Sequence, residues 1–182
     1  MNASTADGAG EPRLRVRAAV TDRPQSSIAT GLPVLDHLIG LLAEYASLEL
    51  SLEVQPGAAA DEVAAGGRAL GRALADRLHD PAVRGHGSSA VPAAEALAHV
   101  ALEASESPLV VSNVDLSEAR VGGLETDVVA EFLRELSEGA GLTLHVRLIE
   151  GRESGHVLEA IFKALGVALA QASRPRSNDR RE

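Results

Sequence analysis

The residues best suited to chemistry lie together in one short stretch, 151–166 (GRESGHVLEAIFKALG). Its start predicts a loop running into a helix, with the Ser154 hydroxyl capping the first turn. Within that helix His156, Glu159 and Lys163 are three and four positions apart, so their side chains share one face. An imidazole, a carboxylate and an ammonium in a row can ligate a metal ion and hold an anion. The plainer interpretation is a solvated helix face with a Glu–Lys ion pair.

The amino-acid composition excludes several kinds of site and of binding partner. The chain has 182 residues and 45% apolar residues but only 2% aromatics, so its core must consist of Ala, Leu and Val. The net charge of −9 argues against a nucleic-acid or anionic-membrane partner. The absence of cysteine excludes disulfides, thiolate metal sites and a cysteine nucleophile. With no long apolar run and no apolar signal core, the sequence predicts a soluble cytoplasmic protein.

Hydrophobic periodicity predicts ten elements along the chain. Strands are expected at 14–21, 26–29, 48–54, 96–103, 109–115 and 142–149. Helices are expected at 30–42, 61–78 and 126–138 and in the stretch after 154. Residues 1–13 and the basic residues 173–182 are predicted to be disordered tails. The Pro-, Gly- and Ser-rich residues 80–92 are predicted to be a linker.

The predicted order of strand, strand, helix, strand, helix occurs twice, in residues 14–79 and 93–172. The helix sequence ALGRALA at 69–75 matches ALGVALA at 164–170, which supports a true internal repeat. The predicted fold class is therefore α+β, with two duplicated halves and helices packed on one face of each sheet. The repeat also places Asp61, Ala64 and Arg68 opposite His156, Glu159 and Lys163. The first half thus has no counterpart of the His-x-x-Glu pair.

Four segments together resemble the imidazoleglycerol-phosphate dehydratases, manganese enzymes of histidine biosynthesis. The segments are LDHL at 35–38, EAL at 95–97 after Pro92, LHV at 144–146, and 151–164. They resemble that family's Asp-His-Met-Leu, Asp-Glu-Ala-Leu, Leu-His-Val and His-His-x-x-Glu-Ala-x-Phe-Lys-Ala motifs. The resemblance covers roughly residues 14–172, and its last motif is the most specific.

The resemblance implies a fold, an assembly and a chemistry. The family's fold is a duplicated α+β structure, built into a large oligomer of trimers with metal sites at subunit boundaries. Its chemistry holds an imidazole between two manganese ions, removes a proton and expels a hydroxyl as water. Carried over motif by motif, the metal ligands would be His37, His145, His156 and Glu159. Catalytic roles would fall to His37 and Glu159, and phosphate binding to Lys163. The family's phosphate-binding arginine falls on Gly85, and the adjacent Arg84 is the second candidate for binding phosphate.

The chain departs from the family's pattern at several ligand positions. The family's first His-His-x-x-Glu falls on Ala60, Asp61 and Ala64, and the leading histidine of the second falls on Gly155. A further family histidine falls on Tyr45. Two manganese ions need on the order of eight to ten protein ligands, and four candidates remain. The sequence therefore predicts one Mn²⁺ per subunit or none, with weakened or lost catalysis.

Three hypotheses stay open at this point. The chain could be a divergent dehydratase that keeps a metal and some lyase activity. It could be a non-catalytic paralogue, either a homo-oligomer of trimer size or larger or a structural or regulatory partner in a hetero-assembly with an intact enzyme. It could instead bind a small phosphorylated imidazole without metal.

His37 beside Asp36 could also be an oriented base or a structural histidine bonded to that neighbour. His79, His86 and His99 are assigned no role.

Overall fold

The predicted order of strand, strand, helix, strand, helix occurs in both halves of the chain, and the second half has three further strands. The computed structural model describes residues 15–20, 26–54, 60–115 and 119–176. The first half contains β1 (Arg15–Val20), β2 (Ser26–Ala29), α1 (Pro33–Ala46), β3 (Leu48–Glu53) and α2 (Ala60–Leu78). The second contains β4 (His86–Ala93), β5 (Ala96–Ala104), β6 (Leu109–Ser112), β7 (Arg120–Val121), β8 (Leu124–Glu125), α3 (Thr126–Ala140), β9 (Leu142–Glu150) and α4 (Ser154–Ala172).

The two main sheets have matching topology. The first has the order β1-β3-β2, with β1 antiparallel and β2 parallel to β3. The second has the order β4-β5-β9-β6, with β5 antiparallel and β6 parallel to β9. Strands β5, β9 and β6 thus repeat the arrangement of β1, β3 and β2, and β4 is added at one edge. This duplication confirms the predicted α+β fold class.

The four helices lie between the sheets, and each half packs against the other. Helices α1 and α2 cover the first sheet and α3 and α4 cover the second, while α1 packs on α4 and α2 on α3. In each of these two helix pairs the backbones approach closely at the glycine of the repeated ALG sequence. A Cβ on Gly166 would lie 2.6 Å from Leu42 O, and one on Gly71 would lie 2.6 Å from Ala140 N and close to Leu136 O. The last helix of each half therefore packs on the first helix of the other half.

The alternating burial along β9 shows which of its side chains face the helices. In β9, Leu142, Leu144 and Val146 are buried, whereas His145 and Arg147 are exposed on the opposite face. Because side chains alternate between the two faces of a strand, His145 lies on the side of the sheet away from α4. The alternation of apolar and polar residues in LTLHVRLI predicts this orientation, and the structure confirms it.

The core is aliphatic except at its centre. Phe132 of α3 and Phe162 of α4, the only two phenylalanines, are fully buried with ring centroids 6.4 Å apart. The rest of the core consists mainly of Leu, Val, Ile and Ala, as the composition predicts. In the described part of the chain, no helix has the length and apolar content needed to cross a bilayer.

The prediction of a linker over 80–92 is wrong for its second part. Residues 86–93 form β4, which pairs along its whole length with β5. The small residues that suggested a loop allow β4 to approach α4 closely instead. Ser89 Oγ donates to Ala164 O at 2.8 Å, and Gly87 has no room for a Cβ against Ala168 O. The predicted boundaries of the two half-repeats stay a prediction.

The prediction of a disordered basic tail is wrong for residues 173–176. Arg84 N donates to Arg174 O at 2.9 Å, and Arg176 N donates to Ala82 O at 2.8 Å. Arg176 Nε also donates to Val83 O. This segment is therefore held against the segment that precedes β4. Residues 1–13 and 177–182 lie outside the described residues, so the prediction made for them stays untested.

Candidate functional site

Three of the sequence-predicted residues meet where α1 packs on α4. His37 Nε2 lies 3.4 Å from Glu159 Oε1, and Lys163 Nζ donates to Glu159 Oε2 at 3.4 Å. The Lys163 side chain is only 16% exposed, so its stem is buried while its ammonium reaches the carboxylate. Glu159 therefore lies between an imidazole and an ammonium at the edge of the helix crossing. His156 lies three residues before Glu159 on the same half-buried side of α4.

The start of α1 positions His37. Pro33 occupies the first turn, where its missing N–H costs nothing. Asp36 Oδ1 accepts hydrogen bonds from Thr30 N at 2.8 Å and from Thr30 Oγ1 at 2.6 Å, which ties the helix to the end of β2. Because Asp36 serves Thr30, it is not the partner of His37. His37 contacts Glu159 of the other half instead, so neither sequence hypothesis based on an Asp36–His37 pair is supported.

The start of α4 positions His156. Helix α4 begins at Ser154, and the preceding Glu153 caps it by accepting a hydrogen bond from His156 N at 3.0 Å. The predicted Ser154 cap is therefore wrong by one residue, because Glu153 has the extended backbone of a capping position. His156 Nδ1 lies 2.5 Å from Glu95 Oε2 in the turn between β4 and β5. This contact raises the pKa of His156, since an adjacent carboxylate favours the imidazolium form.

Glu95 is the site residue that sequence reasoning missed. Its carboxylate also accepts from the backbone N–H groups of Arg152 and Glu153, at 3.3 and 3.0 Å. The backbone N–H of Glu153 is the largest cause that lowers the pKa of Glu95, to about 2, followed by its own N–H and then by His156. The only signal in the sequence was the EAL segment of the family resemblance, to which no function had been assigned.

The other two predicted residues share a pocket on the outer face of the four-stranded sheet. The pocket has a volume of about 350 Å³ and is lined by Arg84 and His145 together with His86, Glu103 and Gln171, among others. Arg84 precedes β4 and His145 is on β9, which places both outside the helical layer. We call Arg84 and His145 the sheet-face set. We call the residues on α1 and α4 the helix-face set: His37, His156, Glu159 and Lys163.

The described part of one chain does not complete a metal site. Among the described residues, no three His, Asp or Glu side chains converge closely enough to hold a metal ion. The helix-face set offers imidazole nitrogens and a carboxylate, which are donors that manganese and zinc accept, but His145 lies on the far side of the sheet. The ligand atoms are therefore of the types that a divalent cation prefers. Within the described part of one subunit, too few of them lie close together to bind it.

The repeat-related position between α2 and α3 is occupied by ion pairs. Arg68, the counterpart of Lys163 in the repeat, contacts Glu135 and Glu138 on α3. Arg134 contacts the same two carboxylates and Glu131. The hydrogen bond from Arg68 lowers the pKa of Glu135 despite its burial. The guanidinium groups thus satisfy the carboxylates that face this crossing, and no histidine takes part in the network.

The histidines without a predicted role have structural partners. His79 Nε2 lies 3.0 Å from Ala140 O at the C-terminal end of α3, where carbonyl groups need partners. His99 Nε2 lies 2.8 Å from Ser88 Oγ across the β4–β5 pair. His86 Nδ1 lies 3.0 Å from Arg84 O. Of these three, only His86 lines the pocket that contains the sheet-face set.

Comparisons with known proteins agree on one family. The imidazoleglycerol-phosphate dehydratase family profile matches residues 30–169. The dehydratase of Clostridium botulinum is 35% identical over 90% of this chain and 85% of its own length, and that of Syntrophobacter fumaroxidans is 38% identical over the same shares. The crystal structure of the Staphylococcus aureus dehydratase is 32% identical, with a TM-score of 0.81 over 90% of this chain and 95% of the other. The chain therefore belongs to the imidazoleglycerol-phosphate dehydratase family of histidine biosynthesis.

Proposed function

We propose that the helix-face set of one subunit and the sheet-face set of another form a single site for a divalent cation and a phosphorylated imidazole. The observation that supports this most directly is the division of the predicted residues between two opposite surfaces. His37, Glu159 and Lys163 contact one another on the helix side, and His145 shares a pocket with Arg84 on the far side of the sheet. Each surface carries part of the required chemistry, so the site needs two copies of the chain and the protein must be an oligomer.

The residues of the two sets would have different roles in metal binding, phosphate binding and proton transfer. A bound divalent cation, with His37, His145, His156 and Glu159 as its candidate ligands, would supply positive charge that holds and polarises an imidazole ring. Lys163 and Arg84 would bind the phosphate, Lys163 as a point charge and Arg84 as a planar fork. The Glu159 carboxylate would accept a proton from a substrate carbon, and His37 would donate a proton to the hydroxyl that leaves as water.

We expect this dehydration to be slow, with one Mn²⁺ per subunit. The positions of the family's first His-His-x-x-Glu motif hold Ala60, Asp61 and Ala64, so the two histidines and the glutamate of that motif are absent. A single bound ion would polarise the imidazole ring from one side only. Its developing negative charge is then stabilised less than between two cations.

A second function has a specific observation in its favour. At the repeat-related position between α2 and α3, arginine–glutamate ion pairs connect the two helices in place of metal-ligating side chains. A chain in which ion pairs occupy this position could serve as a non-catalytic subunit in an assembly with an intact dehydratase. In that role the fold and the contact surfaces are needed, and the metal is not.

The test is the metal content of purified oligomer after reconstitution with Mn²⁺, followed by turnover of imidazoleglycerol phosphate. We expect about one ion per subunit, reduced strongly by His156→Ala and unchanged by His99→Ala. His99 is the matched control because it bonds Ser88 and belongs to neither set. Bound metal with measurable turnover would support the lyase. Metal content equal in the wild type and the His156→Ala variant would refute it and favour the assembly role.

A further inference from the structure

The turn between β4 and β5 brings one carboxylate to the start of α4. Glu95 Oε1 accepts from Arg152 N at 3.3 Å and from Glu153 N at 3.0 Å, and Glu95 Oε2 lies 2.5 Å from His156 Nδ1. Ala94, which precedes it, has a φ of 49°, a conformation that non-glycine residues rarely adopt. The two oxygens of Glu95 therefore have different partners, and the backbone holds the carboxylate in one orientation.

This orientation determines where the proton of a neutral His156 ring lies. An ionised carboxylate can only accept hydrogen bonds, so the ring must place its proton on Nδ1. A neutral imidazole has one proton on its two nitrogens, which leaves Nε2 with an exposed lone pair. A lone pair on a fixed nitrogen can ligate a metal ion or accept a proton.

We infer that Glu95 is a positioning residue that selects the His156 tautomer with a free Nε2; this rests on the proposed function, in which His156 binds the cation. Glu95 does not itself touch substrate or metal in this role. It acts through the imidazole, as a carboxylate behind a ligating histidine does in general. The described residues around His156 Nδ1 support this assignment, because the only other carboxylate near that nitrogen, Glu153, is 3.9 Å away.

The Glu95→Gln variant gives a sharp test because its geometry is almost unchanged. The two backbone N–H groups require an oxygen at the Oε1 position, so the glutamine amide nitrogen must take the Oε2 position beside His156 Nδ1. That amide is a donor, so it requires Nδ1 to be the acceptor. The proton then moves to Nε2, which can no longer bind a cation in the neutral form. Glu153→Gln is the matched control, since it changes the other carboxylate beside His156, the one that caps the start of α4.

The tautomer is measured directly in metal-free protein by long-range ¹H–¹⁵N correlation spectra of ¹⁵N-histidine-labelled oligomer at alkaline pH. The His156 signals are assigned from their loss in His156→Gln. We expect a protonated Nδ1 and a bare Nε2 in the wild type and in Glu153→Gln, and the reverse in Glu95→Gln. A wild-type spectrum with the proton on Nε2 would overturn the inference whether or not the variant folds.

A second measurement separates this inference from the proposed function. Calorimetric titration with Zn²⁺ or Mn²⁺ alone is expected to show about a 10-fold or greater loss of affinity in Glu95→Gln, with Glu153→Gln close to the wild type. If the wild type binds no metal but shows the expected tautomers, the proposed function fails and the role of Glu95 in holding the ring stands. If Glu95→Gln keeps both the wild-type tautomer and the wild-type affinity, the role of Glu95 is refuted.

Discussion

The close crossing of α1 and α4 makes Gly166→Ala the most informative structural variant. A Cβ at Gly166 would lie 2.6 Å from Leu42 O, 2.8 Å from Tyr45 Cβ and 3.1 Å from Ala46 N. Two of these atoms belong to the α1 backbone, so the clash can be relieved only by moving one helix away from the other. Gly40 provides the matched control, since it lies within α1 and a Cβ there would meet nothing within 4 Å.

The two substitutions are expected to change stability in opposite directions. Replacing a helix-interior glycine with alanine stabilises a helix by about 1 kcal/mol when space allows. Overpacking a tight site costs about 1–3 kcal/mol, and a clash with backbone lies toward the upper end of that range. Gly40→Ala should therefore raise the free energy of unfolding by up to about 1 kcal/mol. Gly166→Ala should lower it by about 1–2 kcal/mol.

Urea denaturation at fixed protein concentration measures both changes, and metal titration adds a functional readout. Because α1 carries His37 and α4 carries Glu159, a wider crossing should separate these side chains and weaken metal binding as well. An equal stabilisation by Gly166→Ala and Gly40→Ala would contradict the close crossing of α1 and α4. That result would show that the helices do not approach as closely as described, and that the His37–Glu159 contact is not set by this crossing.

Three further predictions concern charged groups. The pKa of Glu95 is lowered from 4.5 to about 2, so its contribution to stability should be present above pH 4.5 and lost as the pH falls toward 2; acid unfolding of the wild type against Glu95→Gln measures it. Arg68→Met should lower the urea midpoint, because Glu135 loses one partner but keeps Arg134. An unchanged midpoint would show that Arg134 alone suffices. Lys163→Gln should weaken binding of inorganic phosphate about 10-fold without changing the metal content, and a parallel loss of metal would show that Lys163 instead holds Glu159 in place.

Much of the fold follows from the periodicity of single segments. The strict alternation in LELSLE and LTLHVR predicts β3 and β9 and sends His145 to the outer face, because successive strand residues must point to opposite sides. The ALG repeat predicts the duplication, and the structure explains why the glycine is present in both copies: each one lies against the backbone of the first helix of the other half.

The features that the sequence did not indicate depend on contacts distant along the chain. Residues 86–89 have the composition of a loop, but they form the start of the edge strand β4 because they pair with β5 and pack against α4. The Glu95–His156 contact joins residues 61 positions apart, and no local pattern indicates it. The helix-face set could be predicted in part, because three of its members lie on one helix, whereas the contact with His37 requires knowledge of how α1 crosses α4.

The measurement that tests the shared site most directly is complementation between two damaged chains. His145→Ala removes a donor of the sheet-face set and His156→Ala removes one of the helix-face set, so each variant alone should bind little Mn²⁺. In oligomers co-assembled from equal amounts, some boundaries combine an intact helix face with an intact sheet face. If the site lies between subunits, random mixing should restore about a quarter of the wild-type metal sites. If it lies within one chain, the mixed oligomer will bind no more Mn²⁺ than the separate variants, and the proposed shared site would be contradicted.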